Sequence, residues 1–279
     1  MNQDVYNNVQ ARYGGIAKDT NPSTQQDADD KIAQAFGYSA DDLSSLPEKA
    51  NLGVSCGNPT AFASIKPGET IVDLGSGGGI DVLLAARKVG DQGRAIGVDM
   101  TEDMINLARK NAKSAGLTNA EFIKSTITSI PLADSSVDCI ISNCVINLVP
   151  KEDKPAVFTE MARILKPGGR VAISDILARK QLSQDILGDM ALYVGCVSGA
   201  SLVAEYEAWL AQAGFTGVLI VDTKADINVY KEGSVASGGG SCCGSGKDSV
   251  RIPAAKFADV DFNEWVGSFQ IYAVKAGGW

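Results

Sequence analysis

Residues 69–81 read ETIVDLGSGGGID, and the fold turns on the change of pattern inside them. A short apolar run with β-branched character, 69–74, gives way to glycines at 75, 77 and 79, and a helical pattern follows at 80–88. Glycines between a strand and a helix make a tight turn over which a ligand can approach the backbone. The spacing is GxGxG, because Ile80 stands where the dinucleotide fingerprint GxGxxG has its last glycine. Asp99, in IGVDM at the end of the next apolar run, is placed to accept hydrogen bonds from ribose hydroxyls.

Outward from this turn the same alternation continues. Strand-like runs fall at 69–74, 94–99, 120–124, 137–142, 169–175, 216–222 and 268–275, and helical patterns occupy 80–88, 102–115, 154–165 and 202–213. Strands alternating with helices define a mainly parallel α/β sheet. Gly116 and Gly214 suit helix C-caps, and KPGGR at 166–170 reads as a turn into the fifth strand. The expected organisation is an N-terminal arm or lid at 1–48 with a helix near 28–36, a core at 49–180, and a C-terminal part at 181–279. That last part includes a Gly/Ser/Cys segment at 233–247, expected to be flexible, and the final strand at 268–275.

Composition narrows the function. The 279 residues carry a net charge of −8, which argues against nucleic acid or an anionic membrane surface as partner. No run of eighteen apolar residues and no leader pattern is present, so the chain reads as cytoplasmic. Histidine is absent, which excludes Ser-His-Asp and Cys-His nucleophile systems. The six cysteines, Cys56, Cys139, Cys144, Cys196, Cys242 and Cys243, are read as free thiols, ligands or redox groups.

The phrases VDLGSGGG, IGVDM and LKPGGRV resemble the class I S-adenosylmethionine-dependent methyltransferases over about residues 60–180. The fold this implies is a seven-stranded, mostly parallel Rossmann-like sheet with an N-terminal arm and a C-terminal insertion. By the resemblance the glycine loop, with Gly75 and Gly77, holds the homocysteine end of the cofactor, and Asp99 the ribose. Thr126 and Ile127, after the third strand, are candidates for the adenine. The expected cofactor-binding set is Asp73, Gly75, Ser76, Gly77, Asp99, Met100, Thr126, Ile127 and Asn143. Asp73 has two readings, a buried structural carboxylate or a group facing the amino-acid end of the cofactor.

Three cysteines have suggestive positions. Cys56 precedes Asn58-Pro59, a good N-cap and first-turn pair. Cys144 lies just past the fourth strand, on the edge where α/β sheets bind ligands, and Cys196 lies in an insertion able to fold over that edge. Cys139, inside a strand, reads as a small core hydrophobe. Together ANLGVSCGNP, ISNCVINL and YVGCVSGA resemble the arsenite methyltransferases across most of 48–222. The resemblance implies that Cys56, Cys144 and Cys196 bind trivalent arsenic and that S-adenosylmethionine supplies the methyl group. It further implies a thiol reductant, glutathione or thioredoxin. Members of that family often carry a further cysteine near the N-terminus; this chain has none before Cys56. Cys242 and Cys243 are candidates for that redox duty or for capturing arsenic. Tyr13 and Asn58 are candidate contacts of lid and thiol loop. Two other readings stay open, methylation of another small molecule and a non-catalytic arsenic-binding thiol protein.

Overall fold

The computed structural model describes residues 2–18, 26–194, 196–228 and 259–277. The expected flexible stretch 233–247, with Cys242 and Cys243, lies outside the described residues. The elements run α1 (Asn2–Lys18), α2 (Gln26–Ala35), α3 (Ala40–Ser44), α4 (Pro59–Phe62), β1 (Thr70–Leu74), α5 (Ile80–Val89), β2 (Arg94–Asp99), α6 (Glu102–Ser114), β3 (Ala120–Lys124) and β4 (Val137–Asn143). They continue as α7 (Lys154–Ile164), β5 (Leu165–Ala178), α8 (Gln184–Leu187), α9 (Met190–Val194), α10 (Val203–Gln212), β6 (Phe215–Asp222) and β7 (Val266–Lys275).

The seven strands form one sheet in the order β3-β2-β1-β4-β5-β7-β6. β3 through β5 are parallel, while β7 runs antiparallel to both β5 and β6. The expected seven-stranded, mostly parallel sheet is therefore the observed one. Alternation along the strands sends Val72, Leu74, Ile96, Val98 and Ile140 to one face, packed with Phe158 and Met161 of α7 and Leu210 of α10. Ile71, Ala95, Cys139 and Ile141 go to the other, against α5 and α6. Two covered faces are what a parallel sheet requires. Chain order reverses between β1 and β4, which puts a crevice beyond their C-terminal ends.

The KPGGR stretch differs from its reading as a turn. Residues 166–169 are a bulge within β5: the register with β4 steps from Val137↔Leu165 to Cys139↔Arg170. Asp138 accepts from the Lys166 ammonium at 2.7 Å, across the bulge. Arg170, only 8% exposed, resumes the strand. Its guanidinium grips Glu69 through two bonds of 2.8 and 2.7 Å and also donates to the carbonyls of Ala63 and Ser64, clamping the start of β1 to β5. Among the described residues, no helix is long and apolar enough to cross a membrane.

Removing one partner of a buried bidentate pair leaves the other charge uncompensated, at a cost of about 3–5 kcal/mol. Arg170→Ala is expected to lower unfolding free energy by about 3 kcal/mol in urea titrations. A loss under about 1 kcal/mol, the range of exposed pairs, contradicts this account.

Candidate functional site

The crevice is lined by the loops after β1, β2, β3 and β4, by Leu52 and Val54, and by helix α1. Gly75 and Gly77, at φ of +71° and +50°, turn the chain from β1 toward α5. A Cβ on Gly75 meets Val145 at 2.2 Å, so glycine is required for packing as well as for conformation. The Gly77 amide donates to Asp99 at 3.0 Å, and the Thr101 amide donates to its other oxygen at 2.8 Å. These bonds fix the Asp99 carboxylate at the rim of the cavity while burial pushes its pKa up.

Of the residues expected to bind cofactor, Gly75, Gly77, Asp99, Met100, Thr126, Ile127 and Asn143 line this cavity, as does Cys144. Asp73 and Ser76 are not among its lining residues. Asp73 is 4% exposed, and burial, with the charges of Asp81 and Asp99, raises its pKa well above the carboxylate range. Ser76 Oγ is buried without a hydrogen-bond partner. Tyr6, Val9 and Tyr13 of α1 line the cavity too, and Gln10 donates to the Met100 carbonyl at 3.2 Å. Helix α1 of the segment read as an arm or lid thus lines the site, with Tyr6 and Val9 beside the Tyr13 that the sequence singles out.

Asn143 joins the cavity to the thiols. Its amide nitrogen donates to Gly57 O at 2.8 Å, Tyr38 Oη at 2.9 Å and Asp81 at 3.3 Å, and its oxygen accepts from the Cys56 amide at 3.2 Å. Tyr38 also donates to Asp81 at 2.7 Å. Burial pushes the Asp81 carboxyl up to about 6, against the hydrogen bonds from Tyr38 and Asn143.

The Cys56 loop is pressed against β5. A Cβ on Gly57 meets the Ser174 side chain at 2.5 Å, and Ser268 Oγ on β7 donates to Cys56 O at 2.7 Å. Asn58 caps α4 as its sequence suggests, accepting from the Ala61 amide at 3.2 Å. Cys144 leaves β4 at φ +58°, its amide bonded to Ser174 O at 2.8 Å. Cys56 and Cys144, separated by 88 residues in sequence, have Cα atoms 5.8 Å apart and are joined through their sulfurs. Cys196, at φ +67°, points its thiol at Cys144 O, 2.9 Å away. Left-handed backbone at two non-glycine residues of one site is local strain of the kind that collects where geometry is imposed. All three cysteines sit in a separate apolar cluster with Val9, Leu148, Leu192 and Val197. Cys139 lies elsewhere, in the sheet core, where burial pushes its thiol up to about 12.

One residue that the sequence reading passed over joins this group. Asp175, fully buried on β5, offers a carboxylate oxygen within 4.8 Å of the sulfurs of both Cys56 and Cys144, the three atoms being mutually that close. Burial pushes its pKa up to about 6, opposed by Tyr206, by the charge of Lys154 and by backbone amides. Burial likewise pushes the Cys196 thiol up, and Asp175 adds to that; Lys154, a hydrogen bond with Tyr13, and Arg12 pull it back. Lys154, 2% exposed, donates to Gly199 O and Ser201 Oγ and so pins the loop that carries Cys196.

Residues 65–214, more than half the chain, match the family described as methyltransferase domain, and the chain belongs to that family. The chain's curated relatives include proteins named arsenite methyltransferase and, over 110 residues at 34% identity, a ubiquinone/menaquinone biosynthesis C-methyltransferase of Vibrio cholerae. The arsenite methyltransferase of Halobacterium salinarum is 48% identical over 188 residues, which cover 67% of this chain and 48% of that protein. That of Aquipseudomonas alcaligenes is 37% identical over 183 residues, 63% of this chain and 52% of the relative. The chain spans about half the length of these curated relatives. Among solved structures, an arsenic(III) S-adenosylmethionine methyltransferase from Chlamydomonas reinhardtii superposes with a TM-score of 0.56 at 25% identity, covering 88% of this chain and 73% of that one.

The buried Asp81 carboxyl sets a pH signature. Its folded value of about 6 exceeds the ordinary 3.8, so between those values the folded state binds more protons than the unfolded and stability falls as pH rises. Relative to Asp81→Asn, wild type is expected to gain on the order of 3 kcal/mol as pH falls from 7 to 4. A pH-independent difference in urea unfolding overturns the assignment.

Proposed function

We propose that this chain methylates trivalent arsenic, as arsenite or methylarsenite, using S-adenosylmethionine, with arsenic held by the thiolates of Cys56, Cys144 and Cys196. The observation that carries the reading is the junction at Cys144. This one residue lines the cavity behind the glycine loop, touches Cys56 through sulfur, and receives the Cys196 thiol on its carbonyl.

The cavity suits the cofactor on its own features. Gly75 and Gly77 leave the backbone open, Asp99 presents a fixed acceptor, Met104 and Ile127 give apolar wall, and Ser76 Oγ is an unused donor behind the loop. When bound, S-adenosylmethionine supplies a methyl group on positively charged sulfur. Arsenic(III) is soft and matches thiolate ligands. Three sulfurs arranged as a pyramid leave its lone pair pointing away from them, and such a nucleophile carries no proton to remove. A chain without histidine is therefore competent, and positioning supplies most of the rate. In this arrangement α1 keeps water from the cavity, and the Cys56 and Cys144 loops fix the thiols.

Methylation raises arsenic to the pentavalent state, and two electrons return it to the trivalent one. In this reading the Cys56–Cys144 pair is reduced before it binds arsenic, and a thiol reductant, glutathione or thioredoxin, in a reducing setting such as the cytoplasm supplies the electrons. Methylated arsenicals leave as products of a detoxifying reaction.

Purified protein incubated with methyl-labelled S-adenosylmethionine, glutathione and arsenite is expected to yield labelled methylarsenicals, and Cys144→Ser to lower the rate roughly 100-fold or more. Arsenite binding without product identifies a thiol-binding protein instead. An unchanged rate in Cys144→Ser refutes the thiol assignment.

A further inference from the structure

The residue left without a role is Asp175. Its Oδ1 accepts from Asn147 Nδ2 at 2.8 Å and from the Ile176 amide at 2.9 Å, and its Oδ2 accepts from the Tyr206 hydroxyl at 2.7 Å. A carboxylate held this rigidly, fully buried and beside two sulfurs, is costly to a resting protein. The hydrogen bonds fix its position but leave its charge balanced only by Lys154, which acts without direct contact. The reason for such a carboxylate lies in where charge goes during the reaction.

We propose that the Asp175 carboxylate is a catalytic residue that contacts arsenic and balances the positive charge that methyl transfer brings to it. The inference rests on the arsenic reading above. Bound by three thiolates, arsenic(III) is neutral. Its lone pair forms the arsenic–carbon bond as the carbon–sulfur bond of the sulfonium breaks. The electron pair of the broken bond stays on sulfur, which becomes a neutral thioether, and the positive charge passes to arsenic. No proton moves and no further reactant is consumed. One unit of charge therefore crosses from the cofactor cavity into the apolar thiol pocket, where an unpaired cation is poorly stabilised. The Asp175 oxygen lies within 4.8 Å of both sulfurs, near enough for an arsenic atom bonded to them on that side to meet it. Three hydrogen bonds keep it there before charge develops, which is the preorganisation that makes such groups effective. Lys154 does not cancel the carboxylate by direct contact, because its ammonium is engaged by Gly199 O and Ser201 Oγ.

Asp175→Asn keeps the shape and removes the charge. The expected result is a single-turnover methyl-transfer rate about 100-fold or more below wild type, with arsenite affinity, read from arsenic–thiolate absorbance, within threefold. Tyr206→Phe retains the charge and removes one hydrogen bond, so its rate is expected within tenfold of wild type at unchanged arsenite affinity. A rate within threefold of wild type in Asp175→Asn overturns the proposal, as does loss of arsenite binding in that variant, which marks a structural role. Should Asp175→Asn not fold, Tyr206→Phe decides: a tenfold loss of arsenite affinity there also overturns it. Wild type that makes no methylarsenical defeats the functional reading and this inference with it, whereas active wild type with a fully active Asp175→Asn defeats this inference alone.

Discussion

The side-chain amide of Asn143 is the point at which separate parts of the chain are tied together. It stands at the end of β4, accepts the Cys56 amide, and donates to Gly57, Tyr38 and Asp81. This knot adds to the ties from Ser268 and Ser174 in setting the height of the loop bearing Cys56 above the sheet. Each bond is modest alone, about 1 kcal/mol net. Their joint effect is geometric, since one planar group sets the distance between two binding regions that meet at Cys144.

Buried acids stand on either side of that knot, with different environments. Asp73, Asp81 and Asp99 lie behind and beside the glycine loop, where they raise one another's cost of ionisation or take backbone amides. Asp175 lies beside the thiols, held by Asn147, Tyr206 and the Ile176 amide, with the charge of Lys154 nearby. A chain of net charge −8 has placed some of its acids in the interior instead of on a solvated surface.

Much of the sheet was legible in the sequence, because the β1, β2 and β4 strands are short apolar runs with turns or helices after them. The glycine turn was legible for the same reason: Gly75 and Gly77 answer to local backbone geometry. Pairings distant in sequence were not. The KPGGR stretch has turn composition, yet β4 on one side and β7 on the other draw it into β5 as a bulge. Asn143 carries no mark that separates a cofactor contact from a cross-tie, and only the partners at 38, 57 and 81 reveal the second. Asp175 ends an apolar run and looks like any strand-terminal acid until Tyr206 and Asn147 are seen to bind it. The polar composition of residues 1–48 reads as an arm or lid, but residues 2–18 have too little apolar periodicity to announce the helix α1 that lines the cavity.

The last strand in sequence is not the last in space. β7 lies between β5 and β6, and its Ser268 hydroxyl holds the carbonyl of Cys56, 212 residues earlier. Until residues 266–275 have been synthesised, β5 keeps an open edge and β6 has no neighbour to pair with. Such a long-range closure is a slow step in folding. The thiol pocket is therefore complete only after residues 266–275 have joined the sheet, and until then its cysteines are separate thiols.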